Sequence, residues 1–247
     1  MSPLKKITCM NALTLKVLAM VFMFLDHLWA TLIPGSPWMT NVGRMAFPIF
    51  AFQIVEGYFH THDFKKYAAR LLIFALISEI PFNLMMSGTL VDPFDQNVMF
   101  TLLEGLLLVK LLEVCRTKSQ TLFVVMVPIT LLLGYVLGFI TMVDYYGFGV
   151  MTVLLFYLTH DQKFSWLIQL GGLYVINVML MGGMDFPVHL FGYEFLISQQ
   201  GLAVLALIPI WLYNGKQGPH NKAIQYACYA FYPGHILVLS LLALASA

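Results

Sequence analysis

Hydrophobic residues along this chain form long runs that are separated by short polar segments. The runs cover about 13–34, 43–60, 67–88, 97–115, 121–141, 146–159, 164–182, 198–213 and 224–245. A helix of about 20 apolar residues crosses the hydrocarbon core of a bilayer. The pattern predicts an all-α, polytopic transmembrane helical bundle of about nine spans, with residues 1–247 as one domain. The stretch GMDFPVHLFGYEFLIS, between the seventh and eighth runs, is a candidate for one further helix at the membrane interface.

Composition supports a membrane location for the whole chain. Hydrophobic residues make up 60% of the sequence and charged residues only 10%, and the mean hydropathy is +0.82. These values lie outside the usual range of soluble globular domains. We therefore expect a multi-pass protein of the plasma or inner cell membrane, with the lipid bilayer as a partner and no nucleic acid.

The charges of the connecting segments alternate along the chain. Basic residues occur at the N-terminus and in the even-numbered loops, at Lys5, Lys6, Lys65, Lys66, Arg70, Arg116, Lys118, Lys163, Lys216 and Lys222. The odd-numbered loops have acidic residues and no Lys or Arg, with Asp92, Asp95, Asp144, Asp185 and Glu194. Because basic loops stay in the cytoplasm, the N-terminus is predicted to be cytoplasmic.

Asp26 and His27 stand side by side within the first apolar run. Placing a charged carboxylate or imidazolium in hydrocarbon costs on the order of a few kcal/mol, so such groups must face protein or water. An ionisable residue inside a span is by default a candidate for function.

Counting helical rise from the ends of each span predicts how deep in the membrane the other charged residues lie. His27 follows Lys16 by eleven residues, which is about 16 Å along a helix. The residues predicted to line the outer half of one cavity are Asp26, His27, Arg44, Glu79, Glu104 and Asp144, whereas Glu56 falls toward the inner half. A basic inner mouth suits a polyanionic donor such as a nucleotide or coenzyme A, and outer carboxylates suit an amine acceptor. The inner charges are equally explained by the ordinary positive-inside bias.

Two histidines are candidates for the chemistry. His27 is suited to general-base work near neutral pH, with Glu79 or Glu104 as an orienting partner from another helix. Alternatively, one inter-helix hydrogen bond satisfies its ring. His235 lies mid-span, and its alternative role is to satisfy backbone carbonyls that are freed by the preceding Pro233.

The eighth loop reads LYNGKQGPHNK. Its glycines would let backbone amides approach a phosphate group closely, and its lysines add positive charge. A tight turn between two helices explains Asn214-Gly215 equally well. Both interpretations stay open at this point.

Several segments of the sequence resemble the TraX family of membrane proteins. The matching strings are LKVLAMVFMFLDHLW, NVGRMAFPIFAFQIVEGYFHTHDFKKYAARLLIFALISEIPFN, QNVMFTLLEGLLL, YNGKQG and YAFYPGHILVL, in the order of the family. The resemblance implies a membrane acetyltransferase of a group associated with N-terminal acetylation of conjugative pilin. The Lys16-x10-His27 spacing is also similar to an arrangement in the acyltransferase-3 family, where a histidine of the first helix is thought to be catalytic.

Together these observations predict an acetyltransferase that moves an acetyl group from cytoplasmic acetyl-CoA to an amine, such as a protein N-terminus or a small molecule, at the outer face. Arg44 or His235 would stabilise the oxyanion, and no metal is expected. The expected catalytic residues are Asp26, His27, Arg44, Glu79, Glu104 and His235. The expected residues for binding acetyl-CoA are Lys16, Lys65, Lys66, Arg70, Asn214, Gly215, Lys216 and Gly218.

Two rival functions remain. A proton- or cation-coupled solute transporter would use Asp26, Glu56, Glu79 and Glu104 as a relay, although the sequence lacks the internal repeat that is common in transporters. A non-catalytic assembly partner would have little need for so many buried ionisable groups. Consumption of a thioester distinguishes the acetyltransferase from both.

Overall fold

The protein is described by a computed structural model that covers residues 8–190 and 192–246. Lys5 and Lys6 lie outside this range, so their part in the topology stays a prediction. The helical segments are α1 (Ala12–Thr31), α2 (Trp38–Gly43), α3 (Ala46–His60), α4 (Phe64–Met86), α5 (Val98–Lys118), α6 (Gln120–Ile140), α7 (Tyr146–Thr159), α8 (Ser165–Tyr174) with a π-helical continuation (Val175–Leu180), a 3₁₀ segment (Gln200–Ala206) with α9 (Leu207–Trp211), and α10 (Lys222–Ser246). Each apolar run of the sequence corresponds to one of these segments, which confirms the helical membrane-protein class.

Four helices of the described chain are long and apolar enough to cross a membrane, namely α1, α4, α6 and α10. α5 is of similar length but carries acidic and basic residues along it, and the segments α7, α8 with its π continuation, and the 3₁₀ segment with α9 are shorter. The count of nine spans and the cytoplasmic N-terminus therefore remain predictions.

The described residues form two compact units. One contains the residues up to Phe50 together with Asp161–Pro219, and the other contains Ala51–His160 and the residues from His220 onward. The assignment of the whole chain to one domain stays a prediction.

In the first unit, irregular helical segments are stabilised by buried amides. The Asn177 side chain donates from Nδ2 to the Leu173 carbonyl over 2.9 Å and accepts at Oδ1 from Nε2 of Gln200, also over 2.9 Å. Asn177 lies in the π-helical continuation of α8, and Gln200 begins the 3₁₀ segment. Non-helical backbone at membrane depth needs such internal partners, because lipid offers none.

The prediction of an interfacial helix in residues 183–198 is wrong, because this segment forms an antiparallel β-hairpin. Strand β1 (Asp185–Leu190) pairs with β2 (Tyr193–Ser198), with Leu190 opposite Tyr193. Pro187 disfavours a helix, whereas Val188 and the aromatic residues favour extended backbone. Gly192 turns the chain with φ +83°, a conformation that glycine adopts readily.

In the second unit, α5 packs against α4, α6 and α7, and α10 packs against α4. Its core contains fully buried Leu106, Val153 and Leu154. α6 and α7 approach so closely that a Cβ on Gly138 would lie 2.6 Å from the backbone nitrogen of Gly147. Small residues permit this backbone approach, which is a common way of packing helices in membranes.

We predict that Gly138→Ala destabilises the protein by on the order of 1–3 kcal/mol, because the new methyl group meets backbone atoms that cannot move aside independently. Gly234→Ala is the matched control, since a Cβ at this position of α10 would meet no atom of another segment within 4 Å. It should be neutral or slightly stabilising. Thermal unfolding in detergent measures both, and equal melting temperatures for the two variants would contradict the packing described here.

Candidate functional site

An ion pair joins α1 to the segment after α2 within the first unit. Oδ2 of Asp26 pairs with Nη2 of Arg44, and the two side chains are 15% and 22% exposed. Thr40 also holds Arg44, because its carbonyl oxygen lies 3.4 Å from Nε and its Oγ1 lies 3.3 Å from Nη2. A Cβ at Gly43 would lie 2.7 Å from Cγ of Asp26, so glycine permits the close approach. Oδ1 of Asp26 is buried without a hydrogen-bond partner among the described residues.

His27 and Lys16 lie on the same uninterrupted helix, α1, and both side chains are half-buried. Their spacing corresponds to about 16 Å along the axis. α1 is one of the helices long enough to cross a membrane. Lys16 lies about one turn after the start of the helix, and His27 lies about one turn before its end, directly after Asp26 of the Asp26–Arg44 ion pair.

The loop Asn214–Gly218 folds against the start of α1. The Ala12 amide donates to the carbonyl of Lys216 over 2.8 Å, and the Lys216 amide donates to Oδ1 of Asn214 over 2.9 Å. Gly215 and Gly218 have φ values of +75° and +77°, so both glycines are required by backbone conformation. These contacts agree with the tight-turn interpretation, and phosphate binding by this loop stays a prediction.

Glu79 holds the beginning of α5 in the second unit. Its Oε1 accepts from the Asn97 amide over 3.1 Å and from Nδ2 of the same residue. Asn97 is fully buried and caps α5 by accepting the Met99 amide at Oδ1 over 3.1 Å. Its Nδ2 also donates to the Ala75 carbonyl over 2.9 Å. Glu79 therefore has a structural role, and the orienting role that the sequence suggested stays a prediction.

A strained turn between α6 and α7 lies next to this contact. The Asp144 amide donates to the Gln96 carbonyl over 2.7 Å, and the Asp144 carbonyl accepts from Oγ1 of Thr101 over 2.6 Å. Three non-glycine residues of the turn have positive φ, at 53°, 63° and 47°, namely Met142, Tyr145 and Tyr146. Such conformations cost energy and are often found at functional sites. The turn therefore places the backbone of Asp144 beside the start of α5.

The loop before α5 brings two carboxylates together. Asp92 accepts the Phe94 amide at Oδ1 over 3.0 Å. Burial, and then the charge of Asp92, raise the pKa of Asp95 above its ordinary value. A cation that binds this loop would relieve the repulsion between the two groups.

Glu104 and His235 have different surroundings. Oε2 of Glu104 is buried without a hydrogen-bond partner among the described residues, and its carboxyl group also contacts the side chain of Thr141. Nδ1 of His235 lies 2.6 Å from the Phe231 carbonyl, and the two rings stack with centroids 4.6 Å apart. The bond from His235 to its own helix, one turn back, favours the structural interpretation of this histidine.

The basic residues at the start of α4 differ in their exposure and in their contacts. Lys65 and Lys66 are exposed, and Asp63 binds Lys66 through its amide and its ammonium group, each over 3.0 Å. These contacts, the backbone hydrogen bond first, hold the pKa of Asp63 below its ordinary value. Arg70 instead lies over the ring of Tyr67, 5.8 Å from the centroid, and contacts Tyr229 of α10.

The predicted site residues divide between the two units. Asp26, His27, Arg44, Lys16 and the Asn214–Gly218 loop belong to the first unit, and the remaining ones belong to the second. The predicted approach of Glu79 or Glu104 to His27 joins residues of different units and stays a prediction. Sequence reasoning missed Asn97, although an asparagine directly before a long apolar run is a typical helix N-cap signal.

We predict that Asn97→Ala destabilises the protein by about 1–3 kcal/mol, because it leaves Glu79 without donors and removes the cap of α5. Glu79→Gln should cost less, because the amide oxygen still accepts from Asn97. Chemical unfolding in detergent compares the two variants. If Asn97→Ala were as stable as the wild type, the contact would have no structural role.

A family comparison gives the context for these residues. The model of the family described as TraX protein matches residues 12–243, which include every residue of the candidate site. The chain is 28% identical, over 243 residues, to a protein of Dichelobacter nodosus named probable fimbrial assembly protein FimC, serogroup H1. The match covers 93% of this chain and 94% of that protein. No solved structure matches the chain. Since the family match extends over nearly the whole sequence, the protein belongs to the TraX family.

Proposed function

We propose that this protein is a membrane-embedded acetyltransferase that moves the acetyl group of acetyl-CoA to the amine of a protein subunit of a pilus or fimbria. The observation that carries the proposal is the position of His27, half-buried in a helix long enough to cross a membrane and directly after the Asp26–Arg44 ion pair. Membership of the TraX family supports the class of reaction. The name of the relative from Dichelobacter nodosus supports the kind of acceptor.

In this proposal His27 is the general base. Amide formation requires that the attacking amine lose a proton, and an imidazole accepts a proton efficiently near neutral pH. Arg44 balances the charge of Asp26, so the carboxylate next to His27 does not stand alone in a medium of low polarity. Oδ1 of Asp26 is buried without a protein hydrogen-bond partner among the described residues, so a donor group that reached it would satisfy this oxygen.

The donor would bind through its phosphates to basic residues. Lys65 and Lys66 are exposed at the start of α4. Lysine is a flexible point charge that binds phosphate well without a fixed geometry. The thioester would then reach into the protein, where its carbonyl carbon is attacked.

The acceptor would be an α-amine rather than a lysine side chain. An α-amino group has a pKa of about 7.7–8.0, against about 10.4 for the lysine amine, so much more of it is uncharged and nucleophilic at neutral pH. The carboxylates Asp92 and Asp95 in the loop before α5 would attract the protonated form of the amine before reaction. The larger uncharged fraction of the α-amine supports a protein N-terminus as the acceptor.

We predict that purified wild-type protein binds acetyl-CoA and transfers its acetyl group, whereas His27→Ala binds the donor but loses transfer by roughly 10²-fold or more. The measurement uses acetyl-CoA with a labelled acetyl group and a short peptide with an unmodified N-terminus. A peptide with a blocked N-terminus and one lysine is the acceptor control. His62→Ala, on an exposed loop, is the matched histidine control and should remain active.

Full activity of His27→Ala would remove this histidine from the chemistry. Failure of the wild type to bind or consume acetyl-CoA would contradict the acetyltransferase itself. Solute flux in vesicles without thioester consumption would then favour the transporter.

Charge variants at the start of α4 and in the loop before α5 should affect the binding of different substrates. Replacing Lys65 and Lys66 with Gln is expected to raise the KM for acetyl-CoA, as higher salt should in the wild type, because both weaken attraction of the phosphates. Replacing Asp92 and Asp95 with Asn is expected to raise the KM for the peptide and to leave that of acetyl-CoA unchanged. Each double variant is the control for the other. Equal effects of both on acetyl-CoA would contradict separate donor and acceptor regions.

A further inference from the structure

The β-hairpin of the first unit has one apolar face. Residues that lie opposite each other in an antiparallel ladder point to the same side of the sheet, and side chains alternate between the two sides along each strand. The register places on one side Phe186, Val188, Tyr193, Phe195 and Ile197, which together are called the apolar face. Tyr193 and Phe195 are 71% and 50% exposed. The apolar face is therefore a surface that the described part of the chain leaves largely uncovered.

The opposite face of the hairpin is more polar. Its residues are Asp185, Pro187, His189, Glu194, Leu196 and Ser198. Nε2 of His189 lies 3.2 Å from Oε2 of Glu194, and both side chains are exposed. An exposed pair of ionisable groups is stable in water but costly in hydrocarbon. The two faces of the hairpin thus favour different surroundings.

The base of the hairpin is fixed beside one end of α1. Gln199 directly follows β2, and its amide donates to the Met184 carbonyl over 2.9 Å. Its side chain donates from Nε2 to Oδ1 of Asn41 in α2 over 2.8 Å. A short loop joins α2 to the end of α1, and α1 is long and apolar enough to cross a membrane. The hairpin is therefore attached where a membrane-crossing helix of its own unit ends.

Two tryptophans lie near the same end of α1. Nε1 of Trp29 donates to the Pro34 carbonyl over 2.9 Å, and Trp38, the first residue of α2, is 54% exposed. Tryptophan is enriched at membrane–water interfaces, where its ring contacts apolar groups and its N–H keeps a hydrogen bond. These residues indicate that the base of the hairpin lies at the level of the lipid headgroups.

The backbone of the hairpin limits how deeply it can enter the bilayer. A strand needs about 9–11 residues to cross a membrane, whereas each strand of the hairpin has six. The sheet has two strands, so among the described residues each strand has an open edge, whose amide and carbonyl groups lipid cannot satisfy. Full exposure to water would instead leave the apolar face unburied. A position along the membrane surface satisfies both constraints.

We propose that the hairpin Asp185–Ser198 lies along the bilayer surface at the end of α1, with its apolar face against the acyl chains just below the lipid headgroups. Amphipathic segments at this level bury their apolar side by about 5–10 Å. The opposite face carries Asp185 and Glu194, which do not attract anionic headgroups, so apolar contact supplies the binding. The hairpin therefore binds uncharged phospholipid surfaces. This inference does not depend on the acetyltransferase function.

The test measures the surroundings of single residues of the hairpin. In a variant whose three native cysteines are replaced with Ala, Val188→Cys and Phe195→Cys place a nitroxide label on the apolar face. His189→Cys and Glu194→Cys, at the neighbouring positions, are the matched controls on the opposite face. Protein in phosphatidylcholine vesicles is exposed to oxygen, which concentrates in lipid, and to a nickel chelate, which stays in water. Electron paramagnetic resonance measures the collisions of each label with both reagents.

The labels on the apolar face should collide mainly with oxygen, and the two control labels mainly with the nickel chelate. Any other pattern overturns the proposal. Collisions mainly with nickel at all four positions would place the hairpin in water, and collisions mainly with oxygen at all four would place it in the hydrocarbon core. Few collisions with either reagent on the apolar face would show that protein, rather than lipid, covers it.

A second measurement uses the wild-type protein and needs no substitution. Phospholipids that carry a photoreactive diazirine, either next to the headgroup or at the end of an acyl chain, are mixed into the vesicles, and mass spectrometry locates the adducts after illumination. The apolar face should react with the first lipid and not with the second. The exposed residues Val17 and Val21 of α1 are the internal control for reaction with lipid. Adducts on α1 without any on the hairpin would overturn the proposal.

Discussion

Charged groups in a membrane protein must find their partners inside the protein, because the hydrocarbon around it cannot solvate them. The contacts of Asp26 with Arg44, Glu79 with Asn97, and Glu56 with His160 satisfy this requirement within their units. Each contact also joins separate helices or segments, so the same interactions that satisfy polar groups determine how the chain packs. Glycines such as Gly43 and Gly138 permit the close approaches that these contacts and the helix packing require.

The same constraint separates residues with a structural role from candidates for chemistry. Glu79 caps and holds α5 through Asn97, and His235 binds the carbonyl of its own helix. His27 adjoins a neutralised ion pair, and His160 is oriented by a carboxylate and a stacked ring. Histidine is the side chain best suited to gain and lose protons near neutral pH. His27 is therefore the residue that we propose for proton transfer in this member of the TraX family.

Sequence patterns predicted the helices well, because a run of apolar residues long enough to cross a bilayer has few alternatives to a helix. They failed at Asp185–Ser198, where a short segment with Pro187 and several strand-forming residues forms a hairpin. They identified Asp26, His27, Glu79 and Glu104 as ionisable residues within apolar helices, and the structure shows these residues to be half-buried. They did not predict the pairing of Glu79 with Asn97 or of Glu56 with His160, because such pairs depend on helix rotation and on neighbours distant in sequence.

Acetyl transfer across a membrane is the reaction to measure in reconstituted vesicles. Protein reconstituted in vesicles would receive labelled acetyl-CoA outside, with a peptide bearing an unmodified N-terminus sealed inside, and mass spectrometry would follow the peptide. We expect the label to appear on the N-terminal amine of the enclosed peptide, in vesicles whose protein exposes its donor side. An unlabelled peptide inside intact vesicles, with acetyl-CoA left unconsumed, would contradict it.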